Sequence, residues 1–146
     1  MNFHLYLRKG VLFVPITGIV EKGLYQSMEP VEVVPISDVA AVREALRSTI
    51  ARGNPPAPPY SAIKDSPPVV IKYAGVKNWS AFARGASPWN IREENGIYQI
   101  VGFHMHPKGY WEEDPKQTTE FPPGTDVADV ITRMIAILQD VASRGL

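Results

Sequence analysis

The chain begins with a strict alternation of apolar and polar side chains, which is the period of a strand that buries one face. The apolar positions of this first strand are Phe3, Leu5 and Leu7. Lys9-Gly10 provides a turn into a second extended segment, residues 11–20, and residues 30–36 form a third. The N-terminal quarter of the chain is therefore predicted to be an antiparallel β-meander.

Two segments have the three- and four-residue spacing of amphipathic helices. The first begins after Ser37, a favourable N-cap followed by Asp38, and ends at residues 53–56 (GNPP). The second follows Thr125 or Asp126, either of which can act as its N-cap. The apolar positions are Val39, Val42, Leu46 and Ile50 in the first and Val127, Val130, Ile131, Met134, Ile137, Leu138 and Val141 in the second. Both helices are predicted to pack on a sheet.

Residues 53–68 contain six of the 14 prolines in the chain. Because each proline fixes φ and lacks a backbone N–H donor, this segment is predicted to be an ordered or semi-rigid, polyproline-like loop without helix or central strand. It either spans the distance between two sides of the sheet or, as a long loop, carries a function of its own. After it, residues 69–73 are predicted to form a short strand, and Asn78 is predicted to cap a short helix.

The clearest hairpin signal lies at residues 89–106. Asn95-Gly96 favours positive φ at both central positions of a tight turn, and alternating residues flank it. A second turn, at residues 107–109 (PKG), leads to a further strand over residues 110–121. Within the middle strand, Ile97, Val101, Phe103 and Met105 are predicted to face the core, whereas Tyr98, Ile100, His104 and His106 are predicted to share the opposite face.

These elements predict an α+β fold in which two main helices pack on one face of an antiparallel β-sheet of five to seven strands. The chain has 146 residues and a mass of 16.2 kDa, which is the usual size of one domain with one hydrophobic core. We therefore expect residues 1–146 to form a single α+β domain with a Pro-rich loop at residues 53–68.

The composition argues against several classes of partner and chemistry. Fifteen Lys and Arg residues balance fifteen Asp and Glu residues, so the chain lacks the basic field that dominates nucleic-acid binding. No cysteine is present, which excludes disulfides and thiolate chemistry. The N-terminal sequence MNFHLYLRKG lacks the features of a signal peptide, and no run of about 18 apolar residues occurs. We expect a cytoplasmic protein that binds neither nucleic acid nor membranes and needs no cofactor.

Candidate chemistry is concentrated in the segment FHMHPKGYWEED, residues 103–114. His104 and His106 lie two positions apart on a predicted strand, so both project from one face and can share a metal ion with Glu112 or Asp114. The same histidines can form acid–base pairs with Glu112 or Glu113 across the hairpin, or can simply be exposed and titrate near neutral pH. Since a complete ligand set is not identifiable, no metal site is predicted. A metal-dependent or acid–base enzyme using His104 and His106 is kept as the alternative function.

The sequence has none of the motifs G-x-S-x-G, Walker A, G-x-G-x-x-G or H-E-x-x-H. Residues 79–111 instead contain five Trp and Tyr residues, the types that often anchor protein interfaces. We interpret Trp79 and Trp89 as core residues, whereas Tyr110 and Trp111 are adjacent on a strand and cannot both be buried. The predicted partner-binding residues are His104, His106, Tyr110, Trp111, Glu112, Glu113 and Asp114.

In its size and in the segments GFHMHPKGYWEEDP and DVADVITRMIAILQDVA, the chain resembles the immunity proteins of bacterial polymorphic toxin systems, including contact-dependent growth inhibition. The resemblance implies a small cytosolic protein that binds and neutralises one cognate toxin, in many cases a nuclease. The even charge balance departs from the acidic character common among nuclease inhibitors.

The predicted function is that of a protein-binding module, not an enzyme, in which the hairpin at residues 104–114 occludes the active site of a toxin. Its acids are expected to speed association with a basic partner and to fix its orientation. A third possibility, a structural subunit of a larger assembly, predicts self-association through the Pro-rich loop or an edge strand.

Overall fold

The computed structural model describes residues 1–145, apart from the side chain of Lys22. The strands are β1 (Asn2–Arg8), β2 (Val11–Ile19), β3 (Tyr25–Pro35), β4 (Ala86–Glu94), β5 (Ile97–Met105) and β6 (Trp111–Glu120). The helices are α1 (Val39–Arg52), α2 (Tyr60–Ile63), α3 (Val69–Ala74), α4 (Trp79–Ala83) and α5 (Val127–Ser143), with a 3₁₀ turn at Glu21–Gly23. Within residues 1–145, no helix is long and apolar enough to cross a lipid bilayer.

The six strands form one antiparallel sheet in the order β3-β2-β1-β4-β5-β6. Strands β1 to β3 form a first meander, which we call the N-terminal meander, and strands β4 to β6 form a second, the C-terminal meander. The two are joined by pairing of β1 with β4, in which His4 lies opposite Asn90 and Tyr6 opposite Pro88. The six strands and the two long helices confirm the predicted α+β fold.

Helices α1 and α5 pack on one face of the sheet, which we call the helix face. Asp38 begins α1, one residue after the predicted Ser37, and its carboxylate accepts the Ala41 N–H at 3.1 Å. Asp126, one of the two predicted caps, begins α5. The core beneath them contains the fully buried residues Phe3, Leu5, Leu7, Leu46, Ile91, Ile100, Met134 and Leu138. This core confirms the alternation predicted for β1.

A second core lies on the opposite face of the N-terminal meander, beneath α3 and α4. Phe13 and Val31 from the sheet meet Val70, Ile71 and Phe82 there. The prediction of a strand at residues 69–73 was wrong, because these residues form α3. A short apolar run does not distinguish strand from helix, and here adjacent apolar residues are both buried against the sheet.

The Pro-rich segment is ordered and contains the short helix α2, which was not predicted. At its start, the Asn54 side chain lies between β1 and β2. It accepts the Asn2 N–H at 3.1 Å and donates to the Asn2 and Thr17 carbonyls at 2.7 and 2.8 Å. The backbone then pairs with the end of β2, since Ile19 donates to the Pro55 carbonyl at 2.9 Å. The loop therefore completes hydrogen bonds that β1 and β2 do not make with each other.

The centre of β5 is buried on both faces. Ile100 is fully buried beneath α5, and its neighbour Val101 is 1% exposed on the other side. The prediction that Ile97, Val101, Phe103 and Met105 form the main core face was wrong, because α5 packs on the face that holds Tyr98 and Ile100. Ile97 and Met105, at the two ends of the strand, are 43% and 44% exposed.

Strand β6 forms one edge of the sheet and contains an irregularity that shapes the site. Its pairing with β5 shifts from Gly102 opposite Asp114 to Val101 opposite Thr118, so residues 115–117 bulge out of the ladder. A Cβ atom on Gly102 would lie 2.6 Å from the Gln117 Cβ and 2.7 Å from the Trp89 ring. Gly102 thus permits Trp89 and the bulge to approach the same point of β5.

Candidate functional site

The predicted partner-binding residues lie on the β5–β6 hairpin and divide between the two faces of the sheet. His104 lies opposite Glu112, and Asp114 lies opposite Gly102, so these side chains share the helix face beyond the end of the main core. Trp111 and Glu113 alternate with them and project from the other face, which we call the open face. The seven residues therefore form two adjacent clusters instead of one.

On the helix face, His104 lies between two carboxylates. Its Nε2 is 2.6 Å from Glu112 Oε1 and its Nδ1 is 3.3 Å from Asp114 Oδ2. The hydrogen bond with Glu112, followed by that with Asp114, raises the pKa of His104 above its usual value, although desolvation opposes the shift. Because carboxylates only accept hydrogen bonds, the doubly protonated imidazolium is the form that satisfies both.

The geometry does not assemble the alternative metal or acid–base site from the two histidines. His106 accepts the Lys108 N–H at 3.0 Å and stacks on Tyr110, whereas His104 binds Glu112 and Asp114. Among residues 1–145, no group of three or more His, Asp or Glu side chains is arranged to hold a metal ion. Both ring nitrogens of His104 are engaged by carboxylates, so neither is positioned to take a proton from a substrate.

The tip of the hairpin presents an ordered aromatic surface. The rings of His106 and Tyr110 stack with centroids 4.5 Å apart and planes at 8°. The backbone fixes this pair, because the His106 N–H donates to the Tyr110 carbonyl at 2.7 Å and the Gly109 N–H donates to the His106 carbonyl at 2.8 Å. Tyr110 remains 51% exposed and Met105 44% exposed. The tip is thus a preformed apolar projection.

A cleft of 530 Å³ occupies the open face of the sheet, and sequence reasoning did not anticipate it. It crosses β1, β4, β5 and β6, and α4 provides one wall. The lining residues are His4, Tyr6, Trp79, Pro88, Asn90, Arg92, Phe103, Trp111, Glu112 and Glu113. Three of them, Trp111, Glu112 and Glu113, had been predicted to bind a partner. The alternation in β1 places His4 and Tyr6 on one face, but only the β1–β4 pairing brings them beside Asn90.

The polar side chains of the cleft differ in the hydrogen bonds and ion pairs that they make. His4 Nδ1 is 2.9 Å from Ser27 Oγ, and burial, followed by the positive charge of Arg92, lowers the pKa of His4 to about 4. The imidazole is therefore neutral at pH 7. Arg92 forms an ion pair with Glu113. Asn90 is only 8% exposed, yet its side-chain amide makes no hydrogen bond to any described residue.

Comparison with known proteins identifies the fold only. No protein-family model matches the chain, and the curated proteins include no match to it. Among solved structures, a protein of unknown function from Neisseria meningitidis is similar, with a TM-score of 0.64 and 10% sequence identity. The similarity covers 90% of each chain. At this identity the match shows a shared fold, and the neighbour's description assigns no activity.

Proposed function

We propose that this chain is a protein-binding module, an immunity protein that binds a cognate bacterial toxin and occludes its active site with the β5–β6 hairpin. The observation that carries the proposal is the hairpin tip, where Tyr110 is half exposed while its ring is held against His106. A rigid aromatic side chain buries a large area on binding and loses little conformational entropy. Tyr110 therefore has the properties of an interface anchor.

The charge beside the tip supports a basic partner. The whole chain is neutral, but β6 contains four acids, Glu112, Glu113, Asp114 and Glu120, against the single base Lys116. Hydrogen bonds to His104 and Arg92 orient three of these acids. A toxin that binds nucleic acid has a basic cleft, so the acidic strand would speed its association and fix its orientation.

The direct experiment mixes the purified protein with the toxin domain encoded immediately upstream of its gene and measures binding by surface plasmon resonance. We expect Tyr110→Ala to weaken the complex by at least about 2 kcal/mol, mainly through faster dissociation. Tyr60→Ala is the matched control, because Tyr60 lies in the Pro-rich segment and is 54% exposed. Absence of a complex with the wild-type protein would remove this proposal, and equal effects of the two variants would move the interface away from the hairpin.

A second measurement tests the acids. The triple variant Glu112→Gln, Glu113→Gln and Asp114→Asn is expected to slow association more than it speeds dissociation, and the difference should shrink as salt rises. Glu44 and Asp140 lie on α1 and α5 and are paired with Arg47 and Arg144, so their amide variants control for a general loss of charge. An association rate unchanged in the triple variant would contradict the steering role.

A further inference from the structure

The cleft on the open face combines aromatic walls with an amide side chain. Tyr6, Trp79, Phe103 and Trp111 contribute rings from four different elements. Asn90 lies between them on β4 and lines the cleft, and no hydrogen bond joins its side chain to another described residue. An amide that faces a cleft offers one acceptor oxygen and two N–H donors to a ligand.

The charges of the cleft favour a cationic ligand over an anionic one. Arg92 is the one permanently charged base among the lining residues of this cleft, and Glu113 already neutralises it. The Glu112 carboxylate bonds His104 on the helix face, and His4 is neutral at pH 7. An anion would therefore meet one guanidinium that is already paired, whereas a cation meets the Glu113 carboxylate and aromatic rings, both of which attract positive charge.

We propose that this cleft receives an arginine side chain of the partner protein. The guanidinium is planar and stacks on aromatic rings, and its five N–H donors match the acceptors that the cleft offers. These acceptors are the Asn90 side-chain carbonyl and the Glu113 carboxylate, of which only Oε1 bonds Arg92 among the described contacts. This inference rests on the proposed function, because it specifies which group of a basic toxin the open face recognises.

The cleft is also placed to act together with the hairpin tip. Trp111 follows Tyr110 directly, and the alternation of β6 aims Trp111 along the open face. A partner that extends around the hairpin tip from Tyr110 to the open face therefore meets Trp111 at the cleft. The volume of 530 Å³ is within the range of about 300–1,000 Å³ of small-ligand sites and accommodates one long side chain.

The three tryptophans provide a test that does not require the toxin. Trp79 and Trp111 line the cleft, whereas Trp89 is 3% exposed on the helix face and its Nε1–H donates to Ser87 at 3.0 Å. The protein is ¹⁵N-labelled and titrated with N-acetyl-arginine-N-methylamide while the three indole N–H signals are followed by NMR. We expect the Trp79 and Trp111 signals to shift and saturate with a Kd on the order of 1 mM, with the Trp89 signal unchanged.

Matched probes define the chemistry of the site. The citrulline analogue has the same shape without the charge and is expected to bind at least about fivefold more weakly. N-acetyl-aspartate-N-methylamide is expected not to shift the cleft signals. Equal shifts with arginine and citrulline, a preference for the aspartate probe, or no saturable shift with the arginine probe would each overturn the inference.

Two variants connect the probe to the cleft residues. Glu113→Gln removes the charge of an exposed carboxylate and is expected to weaken binding of the arginine probe about fivefold. This is the size of effect expected for one solvent-exposed charge contact. Asn90→Asp keeps the volume and strengthens binding of the probe if the side-chain oxygen accepts from the guanidinium. An unchanged Trp89 signal verifies the fold of both variants. Unchanged probe affinity in both would overturn the assignment.

The proposed function and this inference fail in different ways. A toxin complex that is lost in Tyr110→Ala but unaffected by Glu113→Gln and Trp111→Leu would overturn the arginine site and leave the proposed function standing. Arginine-selective binding in the cleft without any toxin complex would overturn the proposed function instead.

Discussion

In residues 1–145, helices cover both faces of the N-terminal meander, whereas the C-terminal meander has α5 on its helix face and only the short helix α4, against β4, on its open face. In the first, α1 covers β2 and β3 from the helix face, and α3 and α4 cover the other side. In the second, α5 packs on β5 from the helix face, and the cleft lies on the open face. The half of the sheet with two covered faces contributes to both cores, while the half with one largely uncovered face has side chains available for binding.

The boundary between the two regions lies at α4. Phe82 is fully buried and contacts Phe13 and Tyr6 edge-on, with ring centroids 5.6 and 5.7 Å apart. Trp79, one helical turn earlier, stacks on Phe82 at 5.5 Å and also lines the cleft. The same short helix therefore closes the second core and forms one wall of the candidate site, which links the stability of the first meander to the shape of the second.

The largest effect that distinguishes the two regions is expected from aromatic truncation on the face opposite the long helices. Phe82→Ala removes a fully buried ring from the second core and should lower the free energy of unfolding by about 3–5 kcal/mol. Phe103→Ala removes a partly buried ring from the cleft and should cost less than about 1.5 kcal/mol. Urea denaturation measures the free energy of unfolding of the two variants. An equal decrease in both would mean that the two regions are equally well packed.

The next effect concerns acid. His4 has a pKa near 4 in the folded protein and 6.5 as the ordinary value, so the unfolded chain binds a proton between these pH values that the folded chain does not. Stability should therefore fall as the pH decreases from 6.5 towards 4, by at most about 3 kcal/mol. His4→Gln should flatten this part of the pH profile of unfolding free energy. Parallel profiles for the variant and wild type would contradict the burial of a neutral imidazole.

A smaller difference is expected between two glycines, one in each meander. Gly102→Ala would place its Cβ against the Trp89 ring and the Gln117 Cβ, which cannot move easily, and should cost about 1–3 kcal/mol. A Cβ at Gly18 would lie 2.7 Å from the terminal methyl of Met28, which can rotate away, and 3.0 Å from the Ala57 Cβ, which must shift slightly, so Gly18→Ala should cost less than Gly102→Ala. Thermal unfolding measures both, and a reversed order would show that the bulge in β6 adjusts readily.

The smallest effect is local. The NMR titration of His104 should have a midpoint above the usual histidine value, because Glu112 and Asp114 stabilise its charged form. Glu112→Gln should lower this midpoint more than Asp114→Asn, since the hydrogen bond to Glu112 is the larger cause. The stability that this cluster provides should be complete below pH 6.5 and be lost as the pH rises through the raised pKa. A midpoint insensitive to both variants would remove the carboxylates as the cause.

The elements with strong local signals were predictable from the sequence. Alternation identified β1, and Asn95 and Gly96 indeed have φ of 53° and 78° in the β4–β5 turn. The apolar stripe and Asp126 identified α5. Residues 69–73 were mistaken for a strand because a run of five residues is too short to distinguish the period of a strand from that of a helix. Their packing on the sheet favours the helix.

The candidate site was only partly predictable, for a physical reason. The pairing of His104 with Glu112 follows from the register of a local hairpin, and Glu112 was one of the partners that the sequence offered for His104. The cleft requires β1 to pair with β4, which brings His4 and Asn90 together across more than 80 residues of sequence. No local pattern specifies that pairing, so Asn90 and Arg92 were not recognised as candidate residues.

The bulge at residues 115–117 has a consequence for how a partner can attach. The outer edge of a terminal strand normally displays a row of backbone donors and acceptors onto which another strand can add, in a complex or in a fibre. In β6 this row is interrupted at its middle, where Pro115 has no N–H and the ladder loses its register. The protein can therefore expose a long edge without recruiting further strands, and its recognition surface is expected to work through side chains instead of sheet extension.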